Sequence, residues 1–181
     1  MKYLIALDQG TSSSRSLVFS EHGDIIASAQ QELSQIYPQP GWVEHDPIEI
    51  WNAVRITFAE VVATEGVPAA IGITNQRAST VVWNRITGEP LGPALGWQDL
   101  RTVMECITAR SEHGLMFAPN QTATKAAWML KNYGAQLEEE IQRGDICIGT
   151  IDTWLTWKFT AGKSFVTDHT NAGVTGLFSV D

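Results

Sequence analysis

The chain has 181 residues, of which 44% are hydrophobic and 18% are charged. These proportions are typical of a globular protein and exclude a disordered chain. The formal net charge of -8 argues against a general nucleic-acid binder, because such a protein presents a basic surface. The sequence has no apolar run long enough to span a bilayer. Its length suits one full-sized domain or part of a larger one.

The cysteines and the start of the chain predict where in the cell the protein resides. Met1 and Lys2 lead directly into an apolar segment, which leaves no room for a signal peptide. Cys106 and Cys147 are far apart in the sequence and have no metal-ligand neighbours, so we expect reduced thiols. We therefore expect a cytoplasmic protein that binds neither nucleic acid nor membrane.

The beginning of the chain predicts three strands joined by polar turns. Residues 4–7 and 16–19 are short apolar runs, and residues 25–29 form a third after another turn. In the first turn, Gly10 lets the backbone approach a ligand closely and adopt angles that other residues disfavour. Hydroxyl groups beside backbone N–H groups follow it, on Thr11, Ser12, Ser13 and Ser14.

This first turn has the composition of an anion-binding loop. Backbone N–H groups in concave turns bind phosphate oxygens, and hydroxyl groups assist them. Arg15 adds a forked cationic donor suited to phosphate, and Asp8 is placed to orient a hydrated metal ion that accompanies nucleotide phosphates. The G-x-x-x-x-G-K pattern of a Walker loop is absent. From spacing alone, an ordinary hairpin whose serines and threonine satisfy the turn explains the segment equally well.

The remainder of the chain alternates between helix and strand patterns. Asp46, Pro47 and Glu49 predict the start of a helix whose apolar face continues to Val62. Buried strands are predicted at 70–74 and 80–83, a short strand at 146–148, helices at 100–112, 124–133, 137–143 and 151–159, and a loop at 167–173. We find neither repeats nor a domain linker. The pattern predicts an α/β domain with helices packed over a central sheet.

A second group of polar residues follows the apolar strands. Gln76 and Arg77 end one strand and Trp97 ends an extended segment, where open α/β sheets bind ligands. Lys125 and Trp128 share a helix face. A guanidinium, an amide and an indole together can hold a polyol, through hydrogen bonds to its hydroxyls and ring contact with its carbon edge. The residues alone leave open that Arg77 pairs with a surface carboxylate and that the tryptophans lie in the core.

Together these segments resemble the FGGY family of carbohydrate kinases, and within it most closely the glycerol kinases. The resemblance rests on motifs such as ALDQGTSSSR at 6–15, QIYPQPGWVEHDP at 35–47 and GITNQR at 72–77. Further matches follow in family order at 81–83, 97–99, 124–128, 152–158 and 167–172. The resemblance implies an actin-like, ribonuclease-H-like fold of two domains around an ATP cleft, with residues 1–181 forming an incomplete N-terminal domain.

The resemblance also implies ligands and a reaction. Contacts to the ATP phosphates are expected from Thr11, Ser12, Ser13 and Arg15, with Asp8 near Mg²⁺, bound through water. The acceptor, a polyol or sugar, is expected to meet Gln76, Arg77, Ala78, Trp97 and Asn120. The reaction would transfer the γ-phosphoryl group of ATP to a terminal hydroxyl. The family's catalytic aspartate lies beyond Asp181, so we expect no catalytic residue within these residues and no activity of the isolated chain. By motif, Asp152 and Asp168 are predicted to be structural.

The chain departs from the glycerol kinases at acceptor positions. Those enzymes carry a glutamate after the Gln-Arg pair and a tyrosine before the Thr-Lys motif, where this chain has Ala78 and Asn120. Ala78 removes a charged hydrogen-bond acceptor, and Asn120 provides no ring wall. The tail reads Gly173-Val174 where those enzymes carry Ser-Arg. A larger polyol or a sugar is therefore expected as readily as glycerol.

Two other functions stay open at this point. One is a non-catalytic nucleotide-binding or regulatory module of the actin-like superfamily, which would have no need of the Arg77 and Trp97 pocket. The other is a short paralogue that acts as an interaction partner. We also expect a homo-oligomer, because an incomplete domain leaves sheet edges or helix faces without their continuation.

Overall fold

The computed structural model describes residues 3–134 and 137–179, and these fall into two compact units. The first unit contains residues 3–35 and Ile48–Gln76, and the second contains Ile36–Pro47 and the described residues from 77 onward. The predictions that concern Met1, Lys2 and Asp181 lie outside the described residues. Within the described residues, no helix is both long and apolar enough to cross a membrane. Cys106 and Cys147 are buried free thiols, as predicted.

The helices and strands follow the predicted order with a few differences. The strands are β1 (Tyr3–Gln9), β2 (Ser13–Ser20), β3 (Ile25–Glu32), β4 (Glu44–His45), β5 (Ala70–Asn75), β6 (Thr80–Asn84), β7 (Ala94–Leu95) and β8 (Ile146–Thr150). The helices are α1 (Pro47–Glu65), α2 (Val103–His113), α3 (Thr122–Tyr133), α4 (Glu138–Arg143), α5 (Ile151–Phe159) and α6 (His169–Ala172). The predicted mixed α/β composition is confirmed, whereas the prediction of one central sheet is wrong, because the described strands form two four-stranded sheets.

The first unit is a four-stranded sheet in the order β3-β2-β1-β5. β1, β2 and β3 are antiparallel neighbours, whereas β5 pairs with β1 in parallel. Alternation places Ile5, Leu7 and Val18 on one face, where each is at most 1% exposed. α1 lies against this face, since the Ser16 hydroxyl donates to Thr57 Oγ1 at 2.9 Å. This sheet therefore has one well-covered face.

The prediction that residues 70–74 form a buried strand is right about the strand and wrong about its burial. Ile71 is 43% exposed, and Ala70 and Gly72 are exposed as well. β5 lies at the edge of the sheet, where β1 is its only neighbour among the described strands. An edge strand lacks side-chain neighbours on one side, and the apolar sequence alone does not reveal this.

The second unit is a four-stranded antiparallel sheet in the order β4-β7-β6-β8. Its core centres on Val82, Leu95 and Met129, each 0% exposed. Trp83 of β6 and Trp154 of α5 are also 0% exposed, with ring centroids 5.1 Å apart. β6 is thus the buried central strand that its continuous apolar sequence predicts.

Two helix predictions need correction. α2 begins at Val103 and not at residue 100, because the Arg101 side chain and N–H bind Asp99 Oδ1, both at 2.9 Å, and hold a turn there. Residues 169–172 form a short helix where a loop was predicted. The Asp168 carboxylate caps that helix, which agrees with the structural role predicted for this residue.

Candidate functional site

The turn between β1 and β2 is the segment predicted to bind an anion. The Gly10 N–H donates to the Ser13 carbonyl at 2.8 Å, and the Ser12 carbonyl accepts from the Leu33 N–H at 2.9 Å. A Cβ atom on Gly10 would lie 3.2 Å from the Ser13 carbonyl oxygen. Close packing, and not an unusual backbone angle, is therefore what favours glycine here.

The side chains of this loop differ in their exposure. Ser12 is exposed, and Thr11 and Ser13 are half-buried, so these three are accessible to a ligand. Ser14 is 0% exposed, and its hydroxyl lies inside the unit. The sequence-based prediction that Ser14 also offers its hydroxyl to an anion is therefore wrong, because alternation along β2 turns this side chain inward.

Asp8 and Arg15 face each other across the hairpin. They are register partners on β1 and β2, and Arg15 Nη2 lies 2.5 Å from Asp8 Oδ2. The two side chains are 29% and 49% exposed, respectively. An exposed ion pair of this kind contributes about 0–1 kcal/mol to the free energy of unfolding. Replacement of Asp8 by a phosphate group as the partner of Arg15 therefore costs little.

The same carboxylate is the predicted contact for magnesium. Within the described residues, no group of three or more His, Cys, Asp or Glu residues could hold a metal ion alone. Mg²⁺ at nucleotide sites is bound by one or two carboxylates, with water and phosphate oxygens completing its shell. Asp8 supplies one partly exposed carboxylate beside the loop. It fits the predicted contact through water.

Gln76 lies in the first unit and supports the loop. Its Nε2 donates to Gln9 Oε1 at 3.3 Å and to the Gly10 carbonyl at 3.4 Å. The Gln9 amide donates to the same carbonyl at 2.7 Å. Gln76 is 7% exposed. The structure thus places this residue, predicted to bind the acceptor, under the turn of the loop.

The second unit contains a cavity of about 250 Å³ at the other predicted acceptor positions. It is lined by Arg77, Ala78, Trp97, Asn120 and Val174. Residues from distant parts of the sequence therefore meet in one small pocket that offers a cation, an amide and an indole. Val174 is an addition to the predicted set, although the departure of the tail sequence pointed to this position.

Trp97 and Arg77 both line the pocket, and their side chains are accessible. Trp97 is 42% exposed, and its backbone N–H donates to the buried Ser79 hydroxyl at 3.0 Å, which fixes the backbone at this residue. Arg77 is exposed and forms no ion pair with any described residue. The alternative that Arg77 pairs with a surface carboxylate thus has no support in this part of the chain. Trp83 and Trp154 do lie in the core, as that alternative expected for tryptophan.

Lys125 lies behind the pocket wall. Its Nζ donates to the carbonyls of Ala78 and Asn120, both at 3.1 Å, and the residue is 0% exposed. The pKa of Lys125 is lowered to about 7, mainly because burial disfavours the charged form; the Asp99 charge opposes this shift and the Arg101 charge adds to it. The sequence predicted that Lys125 shares a helix face with Trp128, but it did not predict these contacts.

A buried charged cluster in the second unit joins the segment before α1 to the segment before α2. The Arg101 guanidinium lies 2.8 Å from both Asp99 Oδ2 and Glu44 Oε1. It lies 3.8 Å from the ring centroid of Trp42 and 4.6 Å from that of Trp128. Such stacking and forked pairing require arginine and not lysine. The cluster fixes the backbone that follows Trp97, at Asp99 and Arg101.

Comparison with known proteins agrees with this description. The family model for the FGGY family of carbohydrate kinases, N-terminal domain, matches residues 3–181. Glycerol kinases of Delftia acidovorans and Albidiferax ferrireducens are 50% and 47% identical to the chain over 194 residues. Each alignment covers 99% of this chain and 39% of the relative, so the chain spans well under half the length of these curated relatives.

Solved structures show the same fold. The crystal structure of Plasmodium falciparum glycerol kinase with ADP matches 99% of this chain and 38% of its own, with 31% identity and a TM-score of 0.92. A ligand-bound xylulose kinase from Lactobacillus acidophilus matches 97% of this chain and 36% of its own, with 24% identity and a TM-score of 0.80, which shows the fold alone. The predicted actin-like α/β fold is confirmed. The chain belongs to the FGGY family of carbohydrate kinases and matches its N-terminal domain.

Proposed function

We propose that this chain is the N-terminal part of an ATP-dependent kinase that phosphorylates a terminal hydroxyl of a small polyol or sugar. The observation that carries the proposal is the pocket in which Arg77, Trp97 and Asn120 meet. Relatives at 47% and 50% identity are glycerol kinases, which supports a polyol as the acceptor. The full-length kinase that contains this chain is the protein to which the proposed activity belongs.

Each polar group of the pocket has a role in holding the acceptor. Arg77 donates to hydroxyl oxygens through its guanidinium, and Asn120 can both donate and accept. Trp97 covers the carbon edge of the polyol with its exposed indole. At Ala78 and Val174, where the glycerol kinases carry Glu and Arg, the wall is apolar. Three departures from the glycerol kinase pattern thus fall on one pocket, and we propose that they adapt it to a larger or less polar acceptor than glycerol.

The loop of the first unit is the proposed contact for the ATP phosphates. Ser12 is exposed, Thr11 and Ser13 are half-buried, and Arg15 adds a cation whose one ion-pair partner among the described residues is Asp8. A phosphate oxygen would replace the Asp8 carboxylate as the partner of Arg15. That carboxylate would then orient water on Mg²⁺, which supplies charge neutralisation at the phosphates when bound. The ADP in the similar Plasmodium structure supports a nucleotide as ligand.

The reaction needs a carboxylate that the described residues do not offer at this pocket. In the transfer, the acceptor hydroxyl oxygen forms a bond to the γ-phosphorus, the bond to the ADP oxygen breaks, and a carboxylate takes the hydroxyl proton. The Asp152 carboxylate accepts from Thr150 and Thr167, and Asp168 caps α6. We therefore propose that the general base lies outside these 181 residues and that the isolated chain does not catalyse the transfer.

The test is ATP turnover by the full-length kinase with glycerol, erythritol, ribitol and xylulose as acceptors, followed by a coupled assay for ADP. We expect turnover that depends on the acceptor, with a preference for one larger than glycerol. Turnover with glycerol alone would support the kinase and contradict the proposed adaptation of the pocket. Binding of ATP without turnover on any acceptor would overturn the proposal in favour of a non-catalytic nucleotide-binding module.

A further inference from the structure

Ala78 has a backbone conformation that is unusual for alanine. Its φ is 65°, in the left-handed region, and the residue is 4% exposed. Residues with a Cβ atom rarely adopt this conformation, and structures retain it where the surroundings impose it, often at binding sites. Ala78 is also part of the pocket wall. The contacts that impose its conformation therefore bear on the shape of the pocket.

Two donors hold the Ala78 carbonyl. Lys125 Nζ lies 3.1 Å from this oxygen and the Thr80 hydroxyl lies 3.2 Å from it. Lys125 donates equally to the Asn120 carbonyl at 3.1 Å. One ammonium group thus connects two backbone segments that are distant in sequence, and both segments carry a pocket residue. Thr80 supports the same carbonyl from the start of β6.

Burial of the Lys125 ammonium group is energetically unfavourable, and the contacts around it explain why a lysine occupies this position. No described carboxylate lies within ion-pairing distance of Lys125 Nζ, and the charges that act on it are those of Asp99 and Arg101. Transfer of an ammonium group out of water is unfavourable unless hydrogen bonds compensate. An apolar residue at this position of α3 would fill the same space without the unfavourable burial of a charge. It could not donate hydrogen bonds to the two carbonyls. The position of Lys125 is therefore explained by the carbonyls that it binds.

We propose that Lys125 is a positioning residue that fixes the distance between the Ala78 and Asn120 walls of the pocket and thereby determines which acceptor fits. This inference rests on the proposed function, since it assumes that the pocket binds the acceptor. Lys125 itself lies behind the wall and does not contact the acceptor. Its loss would let the Ala78 carbonyl relax from the left-handed conformation and would change the spacing of the two walls.

The first test is Lys125→Met in the full-length kinase, with Lys131→Met as the matched control, because Lys131 is an exposed lysine of the same helix. We expect the KM of the acceptor to rise at least tenfold in Lys125→Met, with the KM of ATP unchanged and the control equal to wild type. An equal rise of the KM of ATP and the KM of the acceptor in a folded Lys125→Met protein would overturn the proposal. Unchanged acceptor KM in a folded Lys125→Met protein would overturn it as well.

A second pair of variants decides the question if Lys125→Met does not fold. Thr80→Val removes the other donor to the Ala78 carbonyl with little change of shape, and Thr80→Ser keeps the hydroxyl. We expect the acceptor KM to rise about two- to fivefold in Thr80→Val and to stay near wild type in Thr80→Ser, a difference that a weak hydrogen bond would give. Equal acceptor KM values in the two variants would overturn the proposal. Failure of wild type to use any acceptor would instead refute the proposed function.

Discussion

The Arg101 guanidinium lies 3.8 Å from the ring centroid of Trp42, with its side chain only 1% exposed. Asp99, its 0% exposed ion-pair partner, also accepts the backbone N–H of Val43 at 2.7 Å. One buried cation thus ties the segment before α1 to the start of α2. The Arg101 N–H also donates to the Asp99 carboxylate, two residues after Trp97, so the cluster fixes the backbone next to one wall of the proposed acceptor pocket.

We expect Arg101→Met to destabilise the chain strongly. The substitution leaves the Asp99 carboxylate buried without its partner, and breaking a buried pair in this way costs about 3–5 kcal/mol. Arg101→Lys should also be destabilising, because an ammonium group cannot stack and fork as guanidinium does. Urea unfolding followed by tryptophan fluorescence measures both, with the exposed Arg110→Met as control. A free energy of unfolding within 1 kcal/mol of wild type would show that the cluster is not needed for stability.

Local patterns in the sequence predicted most of the fold. The start of α1 at Pro47 and the bounds of α5 followed from caps and apolar spacing, which act within one helix. β4 was not predicted and β7 was predicted only as an extended segment, because strands of two residues form only through pairing with distant neighbours. The burial predicted for residues 70–74 failed for the same reason, since an edge position depends on the order of strands in the sheet.

The sequence predicted most of the residues that line the candidate site. It did not predict the contacts that hold those residues in place. Arg77, Trp97 and Asn120 were predicted to bind the acceptor, and the structure brings them into one cavity. Gln76, predicted with them from its position at the end of a strand, donates a hydrogen bond to the Gly10 carbonyl in the first unit, and its contact with the acceptor stays a prediction. The role of Lys125 depends on backbone carbonyls, which every residue possesses. A sequence pattern cannot show which carbonyl a lysine will meet.

Lys125 should make the stability of the chain depend on pH. Its pKa is about 7 in the folded protein against 10.5 in an ordinary lysine, so between these values the unfolded chain binds a proton that the folded one lacks. Stability contributed by this residue therefore rises with pH, by up to about 1.4 kcal/mol per pH unit. We expect urea unfolding at pH 7.5, 8.5 and 9.5 to show this rise in wild type and in Lys131→Met, relative to Lys125→Met. If the free energy of unfolding varied with pH in the same way in all three proteins, Lys125 would not be the source of the pH dependence.

Asp168 should contribute stability that is lost in acid. Its hydrogen bonds from the Asn171 N–H and from the Thr170 hydroxyl lower its pKa to about 2, below the usual 3.8. The contribution is therefore present above about pH 4 and is lost as the pH falls towards 2. Asp168→Ala should cost about 1 kcal/mol at pH 7 through loss of the cap, whereas Asp168→Asn should keep most of the cap and lose the acid dependence. Denaturation at pH 7 and pH 3 distinguishes the two variants, and equal stability of wild type and Asp168→Ala at pH 7 would refute the capping role.

Arg77→Ala should weaken binding of the acceptor in the full-length kinase. A charge-assisted hydrogen bond contributes about 1.5–3 kcal/mol, so kcat/KM for the acceptor should fall about 10- to 100-fold while the KM of ATP changes little. Arg110→Ala removes an exposed arginine away from the pocket lining and serves as control. Steady-state kinetics with the acceptor varied at saturating ATP measures the effect. Wild-type acceptor kinetics in Arg77→Ala would remove this residue from the site.

Ala78→Glu tests whether this position governs the choice of acceptor. A carboxylate on the pocket wall would accept from hydroxyls of glycerol, and such a bond is worth about 1.5–3 kcal/mol. The left-handed backbone at Ala78 strains any longer side chain, so Ala78→Gln is the matched control, which carries the same strain without the charge. We expect kcat/KM for glycerol to be about 10-fold higher in Ala78→Glu than in Ala78→Gln, and the preference for larger polyols to fall. If the two variants use glycerol equally, the charge at this position does not select the acceptor, and the spacing set by Lys125 becomes the better explanation of the pocket's specificity.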